Sequence, residues 1–327
     1  METHSLLKER FAANPLLLAP MAGVNDPVFR LICKKMGAGL TYTEMISAKG
    51  MSHGNARTFE MLTLEDGEKP VAVQLFGSEP QVMARQAAEV EQRLGEGLAL
   101  IDINMGCPAR KVAGKGEGAA LMREPERARA ILSAVAKAVE LPVTVKFRKG
   151  YALGDDSAVT FARMVQDCGV AALAVHGRTA QQFYQGRSDR SVVGRVKAAV
   201  DIPVIASGDV FTAHDVASFL SEQGADAVML ARGAQGNPWL FRQAAALLAG
   251  DAATAVAVPT LQERTELARR HVLGVAQSYP AKLTSMRRHV SWYFKGTANA
   301  SAIRRAVHSC TTVEDYETLF SQIVKQR

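Results

Sequence analysis

The sequence predicts a (β/α)8 TIM barrel followed by an all-helical region. Eight short apolar runs alternate with helical patterns between residues 16 and 248, and most runs have the composition of a strand buried on both faces. The alternation stops at a segment rich in Ala, Val and Thr, residues 251–259, and only helical patterns follow it. We therefore expect a barrel domain at 1–250 and a helical domain at 251–327.

The predicted elements follow the chain in a regular order. Asp26 is placed to cap the first barrel helix, with Pro27 in its first turn, and the polar segment 47–58 reads as irregular. Strands are predicted at residues 16–20, 40–44, 71–76, 98–104, 143–148, 172–176, 203–207 and 227–232. Helices are predicted at residues 27–36, 79–94, 125–139, 157–168, 190–199, 213–221 and 238–248, and after the linker at 261–278, 281–294, 301–310 and 313–324.

An open, doubly wound sheet is the alternative to the barrel. Such a sheet normally has fewer strands and a glycine-rich first crossover. The turn after the first strand contains Ala22-Gly23, which does not match the G-x-G-x-x-G pattern. The strand count and this turn together favour the barrel.

The composition is that of a globular protein without a membrane span. Of the 327 residues, 48% are hydrophobic, yet no apolar run approaches the ~18 residues that a span needs. Residues 1–15 lack the apolar core of a signal peptide. The four cysteines include no C-x-x-C pair, so we expect no disulfide framework, no metal site and a cytoplasmic location. They are Cys33, Cys107, Cys168 and Cys310.

Positive charge is concentrated in the C-terminal region. The chain carries a net charge of +7, and five of those charges belong to residues 251–327. Within that region, the stretch from Leu267 to Val313 has eight Lys or Arg residues and no acid. A solvated basic surface is the ordinary explanation of a charge run. An acid-free stretch of this length favours a polyanionic partner instead.

The fourth strand presents a cysteine at its C-terminal end. The apolar run 98–104 stops at Met105-Gly106-Cys107-Pro108, where Gly106 permits a tight turn and Pro108 cannot continue a ladder. A cysteine judged alone is more often a small buried hydrophobe. In a parallel barrel, however, catalytic groups come from the strand ends, so Cys107 is a candidate. The glycine-rich segment 114–118 that follows reads as a flexible lid.

The other strand ends carry groups that suit a flavin. Lys146 lies within an apolar strand, where a buried ammonium costs several kcal/mol unless it is paired. Gln74 offers a donor and an acceptor to a uracil-like edge. His176 ends the sixth strand, and the glycine loops 207–209 and 232–238 suit a phosphate. Together these residues favour FMN.

Several segments together closely resemble the tRNA-dihydrouridine synthases, in particular the bacterial B-type branch. They span the barrel in order and continue into the C-terminal region, so the combination is specific. The segments are APMAGVNDPVFR (19–30), DINMGCPARKV (102–112), VKFR (145–148), VHGRT (175–179), SGDV (207–210), ARGAQGNPW (231–239) and MRRHVSWYFKG (286–296). The chain departs from the usual family pattern of Asn, Gly and Thr at Ser207, Ala231 and Asn25.

The resemblance implies an FMN-containing barrel that reduces the 5,6 double bond of a uridine in tRNA, with NADPH as the reductant. It implies hydride transfer from FMN N5 to uracil C6 and protonation of C5 by Cys107 as the catalytic acid; a thiol, mostly protonated at neutral pH, suits that role. Asn104 is implied to bind the uracil, and Arg178 to lie near the substrate. The implied FMN contacts are Pro20, Met21, Ala22, Gln74, Lys146, His176, Ser207, Gly208, Asp209, Ala231 and Arg232.

Two other functions stay open at this point. An FMN barrel oxidoreductase acting on a small molecule would not need the acid-free basic region. An RNA-binding protein without catalysis would not need Cys107, Lys146 and His176 together. We expect tRNA as the macromolecular partner and no obligate protein partner.

Overall fold

The computed structural model describes residues 3–325, and its centre is a closed barrel of eight parallel strands. Neighbouring strands pair in chain order, and the first strand pairs with the last to close the barrel. The predicted barrel is confirmed and the open sheet is excluded. The strands are β1 Leu16–Leu18, β2 Leu40–Ser47, β3 Val71–Phe76, β4 Leu98–Met105, β5 Val143–Arg148, β6 Ala172–His176, β7 Val204–Ser207 and β8 Ala227–Leu230.

Helices surround the barrel and make up the C-terminal region. Those up to residue 248 are α1 Thr3–Ala13, α2 Pro27–Lys35, α3 Ala48–Ser52, α4 Ala56–Glu60, α5 Pro80–Leu94, α6 Arg110–Ala113, α7 Pro125–Ala138, α8 Ala158–Gln166, α9 Ser191–Lys197, α10 Ala213–Ser221 and α11 Trp239–Leu248. Those beyond it are α12 Ala252–Ala255, α13 Leu261–Ser278, α14 Met286–Tyr293, α15 Ala300–Val307 and α16 Val313–Lys325. None of the helices described is long and apolar enough to cross a membrane.

Strand alternation decides which side chains face the barrel axis. Successive side chains point to opposite faces of a strand, so alternate residues form an interior and an exterior set. The exterior set packs against the surrounding helices, as Ile101 and Ile103 do. The interior set includes Leu100, and Leu7 and Phe11 of α1 pack into the same cluster. Helix α1 therefore helps to fill the barrel. It has no counterpart among the elements predicted from the sequence.

The polar segment 47–58 is helical, so its description as irregular is wrong. Ser47 caps α3 by accepting from the Gly50 N–H, and Asn55 caps α4 by accepting from the Thr58 N–H. The polar residues that suggested a loop are the groups that begin these short helices. The predicted caps of α2 are confirmed: Asp26 accepts from the Phe29 N–H, and Pro27 begins the helix.

The C-terminal helices pack on the barrel through an apolar cluster of their own. Helices α13 to α16 share this cluster with Val28 and Ile32 of α2 and with Trp239 of α11. The region between residues 280 and 293 divides into a 3-10 turn and α14, where one helix was expected. The helical character of the region is confirmed, and the domain boundary at 250/251 stays a prediction.

A buried polar cluster joins α2 to α13 and α14. The Nε2 atoms of His271 and His289 lie 3.2 Å and 3.4 Å from the Asp26 carboxylate, and His271 Nδ1 lies 2.9 Å from the Tyr293 hydroxyl. Burial alone would raise the pKa of Asp26, but the two histidines outweigh burial and the net pKa is lowered. An ionised Asp26 thus caps α2 and binds the C-terminal helices at once.

Candidate active site

A cavity of about 340 Å³ opens at the C-terminal ends of the strands. Its volume falls within the range of about 300–1,000 Å³ that is usual for small-molecule sites. Residues at or after every strand of the barrel line it, and they include each residue predicted for the site except Arg178. The predicted residues in the lining are Pro20, Met21, Ala22, Gln74, Asn104, Cys107, Lys146, His176, Ser207, Gly208, Asp209, Ala231 and Arg232.

The main chain of Cys107 is held on both sides. Its N–H donates to Asn104 Oδ1 at 2.9 Å, and its carbonyl accepts from the Ala119 N–H at 3.0 Å. The side chain is half-buried and belongs to the cavity lining. The predicted lid 114–118 ends at Gly118, which is packed against the Cys107 carbonyl. The thiol is therefore presented to the cavity by an anchored loop.

A chain of side-chain hydrogen bonds lies in the barrel behind Cys107. Asn104 Nδ2 donates to Gln74 Oε1 at 2.8 Å, and Gln74 Nε2 donates to Asp102 at 2.6 Å. Strand register places Gln74, Asp102 and Thr144 side by side, and the Thr144 hydroxyl donates to Asp102 at 2.6 Å. Burial raises the pKa of Asp102 to about 6, against the opposing effect of these hydrogen bonds. The lone acid in an apolar strand was the signal that could have identified Asp102.

Lys146 extends into the cavity without a protein partner. Among residues 3–325, its Nζ has no hydrogen bond and no ion pair. Burial and the nearby Arg148 lower its pKa to about 8, although Asp102 acts in the opposite direction. An ammonium that is half-buried and has no acceptor is costly, so this position favours a ligand that supplies one.

His176 is held neutral in the cavity wall. Burial and the charges of Lys146 and Arg148 hold the pKa of His176 well below its usual range. Arg178 Nη1 lies 3.4 Å from His176 Nε2, and a guanidinium can only donate. The imidazole proton therefore lies on Nδ1, which makes His176 a neutral donor.

Arg178 does not line the cavity itself, but it contacts two residues that do, Asp209 and His176. Its guanidinium forms a bidentate pair with Asp209 at 2.9 Å and 2.7 Å, and it also donates to the carbonyls of Gln185 and Gly186. Only 2% of the residue is exposed. The structure thus gives Arg178 the role of fixing Asp209 and His176. Its direct contact with substrate stays a prediction.

The loops after β7 and β8 bring main-chain N–H groups and a guanidinium to the cavity. Gly208 lines the cavity; its φ is +112°, and a side chain there would overlap the Ser188 hydroxyl. The N–H groups of Gly208, Arg232 and Gly233 donate to no acceptor within the part of the chain that is described. The Arg232 guanidinium, 38% exposed, pairs with Asp209 at 2.9 Å. Free N–H groups beside a guanidinium suit a phosphate.

Several lining residues lie outside the predicted site set. Arg148, at the end of β5, donates to the carbonyls of Gly106, Thr179 and Phe183 and so connects the loops after β4 and β6. Tyr184 lies under the Arg232 guanidinium, 4.9 Å from it, and Phe211 is 48% exposed nearby. Aromatic residues in exposed loops carry no periodic pattern, so nothing in the sequence distinguished them.

The three residues that depart from the usual family pattern lie in or beside the cavity. The Asn25 amide donates to the carbonyls of Ala19 and Tyr42, both at 2.8 Å, and ties the loop after β1 to the barrel. Ser207 and Ala231 both line the cavity. The hydrogen bonds of Asn25 thus give it a structural role, and the residue does not line the cavity.

Helix α14 reaches the rim of the cavity. The main chain of Trp292 occupies the space where a side chain at Gly236 would lie. The Arg288 guanidinium comes within 3.2 Å of the corresponding position at Gly23, in the loop after β1. The C-terminal region is thus in contact with the loops that line the cavity on the β1 and β8 side.

The chain is similar to a known family along nearly its whole length. Residues 17–327 match the family model described as dihydrouridine synthase (Dus). The tRNA-dihydrouridine synthase B of Xanthomonas campestris pv. campestris is 40% identical over 302 residues, 92% of this chain and 90% of the relative. The protein of that name in Vibrio cholerae is 39% identical over 304 residues, 92% of each chain.

A solved structure of low sequence identity shares the fold. Histamine dehydrogenase from Rhizobium sp. 4-9 superposes with a TM-score of 0.56 at 13% identity, covering 80% of this chain and 49% of that enzyme. At this level of identity the match supports the barrel architecture and carries no information about substrate.

Proposed function

Because the chain belongs to the dihydrouridine synthase family, we propose that it is an FMN-dependent enzyme that reduces a uridine in tRNA to 5,6-dihydrouridine with NADPH. One observation supports this function above the others: Cys107, Asn104, Lys146 and His176 converge on one cavity, together with the glycine-containing loops after β7 and β8. The sequence separates these groups, and only the barrel brings them together.

The residues of the cavity fit FMN. The unpartnered Lys146 ammonium offers charge to an electron-rich ring, and the N–H groups at Gly208 and Arg232 offer a place for the phosphate. Lys146, Arg148, Arg178 and Arg232 make the surroundings positive, which suits an anionic cofactor. When bound, FMN would supply the hydride that reaches uracil C6.

The chain's own residues would prepare the base and deliver the proton. Asn104 lies beside Cys107 in the lining, where its amide can orient the uracil. Cys107 would give its proton to C5 as charge develops there. Lys146 would stabilise negative charge on the reduced ring, and neutral His176 would donate a hydrogen bond from Nδ1. The target base must leave its stack to enter, at a cost of a few kcal/mol.

The function is tested with the purified protein, FMN, NADPH and tRNA from a strain that lacks the gene. We expect dihydrouridine, detected by mass spectrometry at one defined uridine. Restoring the gene in the deletion strain should restore the same modification. If the enzyme reduced free enones or pyrimidines but did not reduce tRNA, the proposal would be contradicted and a small-molecule reductase would be favoured.

FMN affinity should depend on pH through Lys146. Its lowered pKa, about 8, means that Lys146 loses its charge as the pH rises above that value. An anionic ligand favours the charged form, so the FMN Kd should be flat from neutral pH to about pH 8 and should increase above it. Lys146→Met should weaken FMN binding about 10- to 100-fold and make it independent of pH in this range.

Fluorescence titration of the apoprotein with FMN measures this effect. The matched control is Lys149→Met, because Lys149 pairs with Asp189 and does not line the cavity. A wild-type Kd that stays constant from neutral pH to pH 9 would remove Lys146 from the cofactor site.

The basic C-terminal region would bind the tRNA. Two of its cations are already paired with acids and are therefore less available to phosphate groups: Arg269 pairs with Glu317, and Arg270 pairs with Glu266. Within the stretch 267–313, four exposed cations have no ion pair in the described structure: Arg288, Lys295, Arg304 and Arg305. Unpaired surface cations are the groups that release counterions from a nucleic acid.

Arg304→Gln with Arg305→Gln should weaken tRNA binding and reduce its salt dependence. For each phosphate that the variant no longer neutralises, the slope of log K against log salt should fall by about 1. Filter binding at several salt concentrations measures both quantities. Lys137→Gln with Arg163→Gln removes the same charge from exposed sites on α7 and α8 and should leave the slope unchanged. Equal slopes for the two double variants would contradict the assignment.

A further inference from the structure

A buried chain of hydrogen bonds connects Asp102 to the main chain of Cys107. We call the side-chain amides of Gln74 and Asn104, which lie between these two residues, the amide chain. Asp102 accepts from Gln74, Gln74 accepts from Asn104, and Asn104 Oδ1 accepts from the N–H groups of Gly106 and Cys107. All three side chains are at most 8% exposed. Asp102 itself is absent from the cavity lining.

The chemistry of these groups gives the amide chain one direction. A carboxylate can only accept, so Asp102 requires the NH2 group of Gln74. The Gln74 oxygen must then face Asn104 and requires its NH2 group. The Asn104 oxygen is left to face the two main-chain N–H groups, which can only donate. Each amide is therefore oriented by its neighbour, and the carboxylate determines the first orientation.

We propose that Asp102 is a positioning residue that orients the amide chain and thereby holds the Cys107 loop in place for proton transfer. This inference rests on the proposed function, in which Cys107 is the proton donor. Asp102 acts through Gln74 and Asn104 and touches neither substrate nor cofactor.

Asp102→Asn should reverse the amide chain. The Thr144 hydroxyl would keep donating to the remaining oxygen of residue 102, so the new NH2 group would face Gln74. Gln74 would then turn its oxygen toward residue 102 and its NH2 group toward Asn104. The Asn104 amide would turn in response and place its own NH2 group against the Cys107 N–H. Two donors would then face each other at the loop, which must shift to separate them.

The test is a single-turnover experiment with the reduced holoenzyme and saturating tRNA under anaerobic conditions, followed by flavin reoxidation. We expect Asp102→Asn to slow reoxidation about 10- to 100-fold, as a displaced catalytic group does, with little change in the tRNA concentration at half-saturation. In a Cys107→Ala background, Asp102→Asn should slow the remaining rate by less than it slows the wild-type rate, because residues that act as a unit are not additive. The part that remains reports the effect of the turned Asn104 amide on the uracil.

Thr144→Val is the matched control. It removes a hydrogen bond of the same length to the same carboxylate but leaves the direction of the amide chain intact. Because this bond lowers the pKa of Asp102, the comparison is made at pH 8, where the carboxylate stays ionised, and there the reoxidation rate should stay within about threefold of the wild-type rate. An Asp102→Asn rate equal to wild type, an equally slow Thr144→Val enzyme, or additive effects with Cys107→Ala would each overturn the positioning role. A wild-type rate for Cys107→Ala would instead refute Cys107 as the proton donor, and a reduced wild-type enzyme that tRNA does not reoxidise would refute the proposed function.

The wild-type enzyme offers a second measurement if Asp102→Asn does not fold. A proton on Asp102 would make it a donor and would reverse the chain as the substitution does. Lys146 on β5 and Tyr42 on β2 are the titratable groups that interact with it, and neither changes charge in the acid range. The reoxidation rate should therefore fall as the pH drops below about 6, the raised pKa of Asp102. A rate that stays flat from neutral pH to pH 5 would overturn the inference.

Discussion

Cys107→Ala will retain FMN and its reduction by NADPH while it slows dihydrouridine formation by about 10²- to 10⁴-fold, the loss typical of removing a general acid. The hydrogen bonds that anchor residue 107 use its main-chain N–H and carbonyl, so alanine leaves the loop in place. Mass spectrometry of the tRNA measures the product, and the visible flavin spectrum measures the cofactor and its reduction.

Two cysteine variants make this result specific. Cys107→Ser keeps a weaker proton donor at the same position and should retain more activity than alanine. Cys168→Ala removes a buried thiol that follows α8 and donates to the Met164 carbonyl, away from the cavity, and should behave as wild type. Full product yield from Cys107→Ala would exclude the thiol as the acid.

Arg30→Met will lower the free energy of unfolding by about 3–5 kcal/mol, the usual result of leaving one partner of a buried ion pair alone. Arg30 holds both oxygens of Glu68 at 2.7 Å and 2.8 Å, and both side chains are at most 2% exposed. Arg30 also donates to the carbonyl of Asn25, so the loop after β1 should loosen as well. Urea denaturation measures the loss.

Two controls separate the effect of an unpaired buried charge from that of the missing hydrogen bonds. Arg30→Met with Glu68→Leu removes both charges and should recover much of the stability. Lys49→Met breaks an exposed pair with Glu79 and should cost less than about 0.5 kcal/mol. If Arg30→Met costs no more than Lys49→Met, the buried pair does not stabilise the fold.

The barrel could be predicted because its strands are short, apolar and regularly spaced. Burial on both faces leaves little room for polar residues, so each exception, such as Lys146 or His176, marks a strand end or the interior. Helix α1 was missed because only Leu7 and Phe11 of its eleven residues are buried, which gives a weak pattern. Helices α3 and α4 were missed because each has five residues, and their caps resemble loop residues.

Most of the residues predicted for the site do line the cavity, but the contacts that each of them makes could not be predicted. A motif places Arg178 near the strand end, yet it does not show that Asp209, 31 residues later, occupies the guanidinium. An acid-free stretch predicts a basic surface, but acids from outside the stretch pair with Arg269 and Arg270. Asp26 and His271 are 245 residues apart, and no local pattern links them. Pairings of this kind depend on tertiary packing, which spacing along the chain does not encode.

The contact between Gly236 and the main chain of Trp292 constrains any attempt to engineer this protein by exchanging modules. A chimaera cut at the linker would carry a foreign helix onto a rim shaped for the native one. The graft would have to keep glycine at position 236 on the barrel side, together with the acid at 26 and histidines matching 271 and 289. The unit that can be transplanted is therefore larger than the C-terminal helices and includes the first and last loops of the barrel.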